Sequence, residues 1–177
     1  NLFLSLKSIS KEKNLLRILN TQSLPIKLLK EPEVLILLLI TLCYFVVNPI
    51  GQYAIDDDWI FVKSLRHLHQ EGELKILAWN PMSLVSLLLW GLPFAKLFGF
   101  TFTISKISVV ILLYVECLAL IAILRKMMAS TELILLVCLT LIFNPLHFFH
   151  SFLYGTDVPA LSWGWLAVFF YLSGSKA

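Results

Sequence analysis

The sequence predicts an all-α fold: a polytopic transmembrane helix bundle of about four spans, with amphipathic interfacial helices in the first outer loop. Two observations carry this. Of 177 residues, 59% are hydrophobic and 14% charged, with a mean hydropathy of +0.86, whereas an average soluble domain has about 25% charged residues. The apolar residues are also gathered into charge-free runs close to the roughly 20 residues that a helix needs to cross a bilayer. Both counts point to the bilayer rather than water as the solvent of this fold.

In chain order, residues 1–33 read as a basic amphipathic cytoplasmic segment. Over residues 1–30, Lys7, Lys11, Lys13, Arg17, Lys27 and Lys30 stand against Glu12, with Leu and Ile interleaved at roughly helical spacing. Such a segment suits either an anionic membrane face or a solvated arm, and both put it inside by the positive-inside rule. Residues 34–177 read as the transmembrane part. Its first span, about 34–54, follows from the absence of charge between Glu33 and Asp56. An outer loop of about 55–105 comes next. The second span, Ile107 to Leu124, is interrupted by Glu116 alone and is slightly short; it returns to Arg125 and Lys126. The third, about 132–150, leads out to a turn holding Asp157, and the fourth, about 158–173, returns. This count puts Asp56–Asp58 and Asp157 on one face of the membrane; five spans would separate them.

Within the outer loop, Trp59 to Gln70 alternates apolar residues with Lys63, Ser64, Arg66 and His67, which predicts an amphipathic surface helix. Glu71-Gly72-Glu73 ends it. The uncharged stretch 76–95 contains Asn80, Pro81, Gly91 and Pro93, so it reads as a short interfacial or re-entrant helix of about 82–91; a fifth span is the alternative. Cys43, Cys117 and Cys138 lie inside apolar runs without disulfide or zinc spacing and read as small packing residues. The chain opens on Asn1 rather than Met, so it is expected to be a piece of something longer.

The main polar anomaly is Asp56-Asp57-Asp58-Trp59, where the first span leaves the bilayer. Three adjacent carboxylates repel, so at least one is expected to have a raised pKa or a paired cation. The bland reading is a stop-transfer cluster, but those are commonly basic and cytoplasmic. A carboxylate at a membrane surface can accept the proton of a hydroxyl that attacks an anomeric carbon. Arg66, about two turns from Asp58, could neutralise a phosphate leaving group or bind a lipid headgroup. Glu116 in mid-span is expected to face a helical partner or a cavity. His147 and His150, at i and i+3, could meet a phosphate or a metal, or pack at the interface. His67 and His69 point to different helix faces, against paired ligation.

The run from Asp57 to Leu68, then Gly72-Glu73-Leu74, Trp90-Gly91 and Leu97-Phe98-Gly99-Phe100, resembles the first outer loop of bacterial GT-C membrane glycosyltransferases. The resemblance is to the group related to protein O-mannosyltransferases and the lipid A aminoarabinose transferase. Phe143-Asn144-Pro145 and Tyr154-Gly155-Thr156-Asp157-Val158-Pro159 are similar to the pattern around that family's second outer turn. The resemblance covers about residues 50–175, the opening part of a family member; later helices and a periplasmic part are missing from it, so this stretch alone is not expected to be active.

It implies transfer of a sugar from a polyprenyl-phosphate-linked donor to an acceptor hydroxyl, on the outer face of a bacterial plasma membrane. Asp57 matches the proposed catalytic base, with Asp58 beside it; Asp56 and Asp157 help to line the substrate cavity, and Arg66 lies near donor phosphate or headgroups. Asp157 before Val158-Pro159 also reads as a helix N-cap. Membrane lipids are expected partners and nucleic acid is not. The acceptor is open, no cofactor is required, and a divalent cation fits the acidic cluster without being demanded by ligand spacing. The rival readings are a transporter or lipid flippase using Glu116, and a noncatalytic membrane subunit.

Overall fold

The computed structural model describes residues 31–75 and 85–174. Most of the basic segment and the start of the second loop helix lie outside them. Among the described residues the chain is wholly helical: α1 (Pro32–Val47), α2 (Asp58–Glu71), α3 (Val85–Phe98), α4 (Phe102–Lys126), α5 (Thr131–Ile142), α6 (Pro145–His150) and α7 (Asp157–Gly174).

Several helix ends differ from those expected, and each has a local cause. The first charge-free run extends to Ile55, but α1 stops after 16 residues, about 24 Å at 1.5 Å per residue. Asn48 there takes the left-handed conformation (φ 48°), and its N–H donates to the Tyr44 carbonyl at 2.9 Å. Pro49 then forbids continuation. The expected third span is likewise two helices. Phe143-Asn144-Pro145 ends α5 after 12 residues, and the Asn144 carboxamide oxygen caps α6 by accepting from the amides of Leu146 and His147 at 3.1 and 3.3 Å. The second loop helix behaves oppositely. Its helix breakers predict an end near Gly91, yet α3 runs through Gly91 and Pro93 to Phe98. A proline forfeits one helical hydrogen bond, and α3 is held on both sides of it by buried Leu87, Leu88, Gly91 and Ala95. The Trp90 indole also donates to the Ser108 carbonyl at 2.8 Å.

α4 is the central helix and packs on α1, α3, α5 and α7, most extensively on α7. It begins on a Thr101 cap, whose hydroxyl accepts from the Ile104 amide, and runs 25 residues. By length and composition it is the one described helix long and apolar enough to cross a membrane; α1, α3 and α5 are apolar but shorter. Its Val109, Leu112, Leu113, Cys117, Leu120 and Ile121 join Ile36 and Ile40 of α1, Val62 and Leu65 of α2, Leu87 and Leu88 of α3, and Cys138 of α5 in one core. The three cysteines are free, and Cys117 and Cys138 are buried.

The helix directions follow from polar contacts at the two ends. Arg125, at the end of α4, donates to Glu31 and Glu33 at the start of α1, 2.8 Å each, so α1 and α4 are antiparallel. Lys126 donates to Ser173 near the end of α7 at 2.8 Å, so α4 and α7 are parallel. Asp56–Asp58 and Asp157 consequently share the opposite end, as the four-span reading expects of them. Large apolar side chains remain exposed along the outside: Leu38, Leu42, Phe45 and Val46 on α1, Leu133 and Leu136 on α5, and Phe170 and Tyr171 on α7.

Candidate functional site

The loop between α1 and α2 is clamped by the first turns of α4. Thr103 Oγ1 accepts from the Gly51 amide (3.2 Å) and donates to its carbonyl (3.3 Å), the Phe102 amide donates to Gln52 Oε1 (3.1 Å), and Lys106 Nζ donates to the Tyr53 carbonyl (3.0 Å). The chain then turns sharply, with Asp56 left-handed at φ 56°, a region that Asp tolerates better than most residues. Asp57 is the N-cap residue of α2 but makes no capping bond with its side chain. Asp58 turns inward, and its Oδ1 accepts from the Ile55 amide at 2.8 Å.

The second acidic segment arrives from the other half of the chain. Tyr154 is wholly buried, and its hydroxyl donates to the Leu87 carbonyl of α3 at 3.0 Å. Gly91, one turn later in α3, lies under that hydroxyl; a Cβ there would collide with the Tyr154 oxygen. From this anchor Gly155 and Thr156 lead into α7, whose first residue is Asp157. A carboxylate in a first turn complements the helix dipole. The Asp157 Oδ2 lies 3.3 Å from Nδ1 of His150.

The two segments meet in one cavity of about 270 Å³, lined by Asp56, Asp57, Asp58, Phe61, His150, Leu153, Gly155, Thr156 and Asp157. Four of the five expected site residues are therefore together. Arg66 is not among them: eight residues along α2 from Asp58 is about 12 Å of helix rise. Its guanidinium instead donates to Gln70 Oε1 at 3.1 Å and lies over the Phe100 ring, 6.0 Å from the centroid. His150 and Asp157 also line a second, apolar groove of about 610 Å³, whose walls include Leu136, Leu141, Leu161 and Trp165.

The three adjacent acids occupy different environments. Asp56 and Asp57 are exposed; Asp58 is 2% exposed, and its Oδ2 lacks a hydrogen-bond partner. Burial pushes the Asp58 carboxyl up to about 6, against the weaker opposing pull of the Ile55 amide, the Lys106 ammonium and the Tyr154 amide, while Asp56 adds a small upward push. The expected raised carboxyl thus exists, but burial rather than mutual repulsion is its main cause. A group poised near 6 is mostly ionised at neutral pH yet basic enough to take a proton.

Glu116 and His147 form a separate buried pair. Glu116 is 0% exposed, with Oε1 3.5 Å from His147 Nε2, and Ser162 donates to its Oε2 at 3.5 Å. This is the partner-facing arrangement expected of an acid in an apolar helix. Among the described residues no group of three or more His, Cys, Asp or Glu side chains is arranged to hold a metal ion. Lys106 and Tyr154 have no role in the expected site, whereas His150, expected either to meet a phosphate or a metal or to pack, lines the cavity; Lys106 carries one signal, as a lone base bordering an apolar run. No protein-family model, curated protein or solved structure matches this chain.

Proposed function

We propose that the protein is a multi-pass membrane glycosyltransferase of the GT-C kind, with its N-terminus in the cytoplasm of a bacterial plasma membrane. It transfers a sugar from a polyprenyl-phosphate-linked donor to an acceptor hydroxyl on the extracytoplasmic face. The observation that carries this reading is the meeting of Asp58 and Asp157, from two motifs about a hundred residues apart, in one acidic cavity at one end of the helices. Three further features support it. The exposed apolar faces of α1, α5 and α7 suit a lipid solvent. The antiparallel α1 and α4 and the parallel α4 and α7 suit alternate crossings, with α5 and α6 together making up the third. The apolar groove that opens beside Asp157 has room for part of a hydrocarbon chain.

In this reaction the acceptor oxygen attacks the anomeric carbon, forming the new glycosidic bond. The bond from that carbon to the lipid phosphate oxygen breaks with inversion, its electron pair leaving on the phosphate. The hydroxyl proton passes to a carboxylate of the cavity. Asp58 suits that step better than exposed Asp57 because its raised carboxyl gives a stronger base. Asp57, Asp56 and Asp157 accept hydrogen bonds from sugar and acceptor hydroxyls around it.

Replacing Asp57 and Asp58 singly by Asn in the complete, membrane-embedded protein tests the reading. Asp58→Asn is expected to lower consumption of polyprenyl-linked sugar by at least about a hundredfold, the scale of a lost general base, with membrane insertion intact. Asp57→Asn is expected to retain measurable turnover. Unchanged turnover in both variants would sink the transferase reading, and loss confined to Asp57→Asn would move the base one residue back.

A further inference from the structure

Lys106 is the one cation held inside the described structure without an acidic partner in contact. It is 0% exposed on the second turn of α4, and its ammonium donates to the Tyr53 carbonyl at 3.0 Å while lying 4.5 Å from the centroid of the Tyr53 ring. A buried ammonium is costly, and a hydrophobic residue of similar length would fill the space without that cost. Its neighbours on α4, Phe102 and Thr103, already hold the same loop through uncharged hydrogen bonds. Anchoring alone therefore does not call for a charge. Lys106 grips the Tyr53 carbonyl and Asp58 the Ile55 amide, two residues further along the same loop, so both buried groups stand against one short stretch of backbone. What the charge adds there is a positive potential at Asp58, which has no other buried cation near it among the described residues.

We propose that Lys106 is a positioning residue of the acidic cavity: it pins the Tyr53 end of the loop, and its charge keeps Asp58 a carboxylate at neutral pH. The other ionisable groups around the cavity oppose it or are weaker. Asp56 and Asp57 on the loop and Asp157 on α7 disfavour a further negative charge, and His150 on α6 is engaged with Asp157. The inference rests on the assignment of Asp58 as the base, but the state of Asp58 can be read without any turnover.

The test compares Lys106→Gln, which keeps a donor for the Tyr53 carbonyl and removes the charge, with Lys106→Arg, which keeps the charge. Dicyclohexylcarbodiimide modifies protonated carboxyls in apolar surroundings, so the pH midpoint of its reaction at Asp58, followed by peptide mass spectrometry in the membrane-embedded protein, reports that proton. Removal of a neighbouring cation is expected to raise the midpoint by about one pH unit or more in Lys106→Gln and to leave it near the native value in Lys106→Arg. The acid limb of the pH–rate profile is expected to move up by the same amount in Lys106→Gln and to stay in place in Lys106→Arg. A midpoint unchanged in Lys106→Gln would overturn the proposal. So would failure of Lys106→Gln to accumulate while Lys106→Arg accumulates normally, because the charge would then serve folding alone. A shifted midpoint with full turnover retained by Asp58→Asn would leave Lys106 standing and sink the assignment of Asp58.

Discussion

Gly91→Ala is expected to destabilise the protein although it replaces a glycine inside a helix. In an open helix the change gains about 0.8–1.0 kcal/mol. Here a Cβ would collide with the Tyr154 hydroxyl oxygen and press on Tyr154 Cζ at 3.0 Å and Leu65 Cδ2 at 3.2 Å. Overpacking a close-fitted core costs about 1–3 kcal/mol, and losing the bond from Tyr154 to the Leu87 carbonyl costs about 1 kcal/mol more. The net expectation is a loss of roughly 1–3 kcal/mol, from the sum of these terms. Tyr154→Phe alone should cost about 1 kcal/mol. Because phenylalanine lacks the colliding oxygen, Gly91→Ala should cost at least about 1 kcal/mol less when combined with Tyr154→Phe, a coupling of the size contacting residues show. Buried, free Cys117 and Cys138 make a thiol-reactive fluorophore a suitable reporter of thermal unfolding. A transition of a chain this size moves by about 2–4 °C per kcal/mol. Stabilisation by Gly91→Ala, or effects that add to within about 0.5 kcal/mol, would refute the placement of Tyr154 under α3.

Two other outcomes follow from the buried acids. Asp58 titrates at about 6 in the fold against 3.8 as a free side chain, so between those values the unfolded chain has released its proton and the native chain has kept it. Stability therefore falls as pH rises from about 4 to 6, by up to roughly 3 kcal/mol at 1.36 kcal/mol per unit, and levels off above; Asp58→Asn should flatten that limb in unfolding temperatures measured across pH. Glu116→Gln keeps the side-chain volume and an oxygen facing Ser162 and should cost under about 1 kcal/mol, whereas Glu116→Ala opens a cavity and removes the carboxylate facing His147, and should cost about 2–4 kcal/mol, with Ser162 still bonded to the Val158 carbonyl. Equal losses for the two variants, read by thermal unfolding, would contradict the structural role of the pair.

Runs without charge locate apolar helices well and end them badly. Asn48-Pro49 and Asn144-Pro145 carry no charge, so a span counted from charge alone passes through them, although both stop the backbone. Pro93 misleads in the opposite direction. A proline removes one donor, and whether the helix survives depends on what packs beside it. For α3 that is Leu65 and Tyr154, remote in sequence, so no local signal could have kept the helix going. The relative directions of α1, α4 and α7 are easier to read, because the charges that define them, Glu31, Glu33, Arg125 and Lys126, stand at run boundaries.

The acids of the cavity are legible because each announces itself: a carboxylate beside an apolar run is anomalous wherever it stands. Their ranking is not legible. Asp56, Asp57 and Asp58 are chemically alike in a sequence, and repulsion among them predicts only that one will differ. The turn at Asp56 decides which one, since it leaves Asp56 and Asp57 exposed and turns Asp58 inward, where the Lys106 charge and the Tyr154 amide act on it. Those two influences come from residues about fifty and a hundred positions away, and neither the base that borders an apolar run nor the aromatic at the head of the second motif says which aspartate it will act on. Which of the three acids carries the raised carboxyl is thus selected by packing between distant segments. A change that leaves every aspartate in place, such as Gly91→Ala acting through Tyr154, is therefore expected to disturb the Asp58 carboxyl as well as stability, which the carbodiimide midpoint at Asp58 would register.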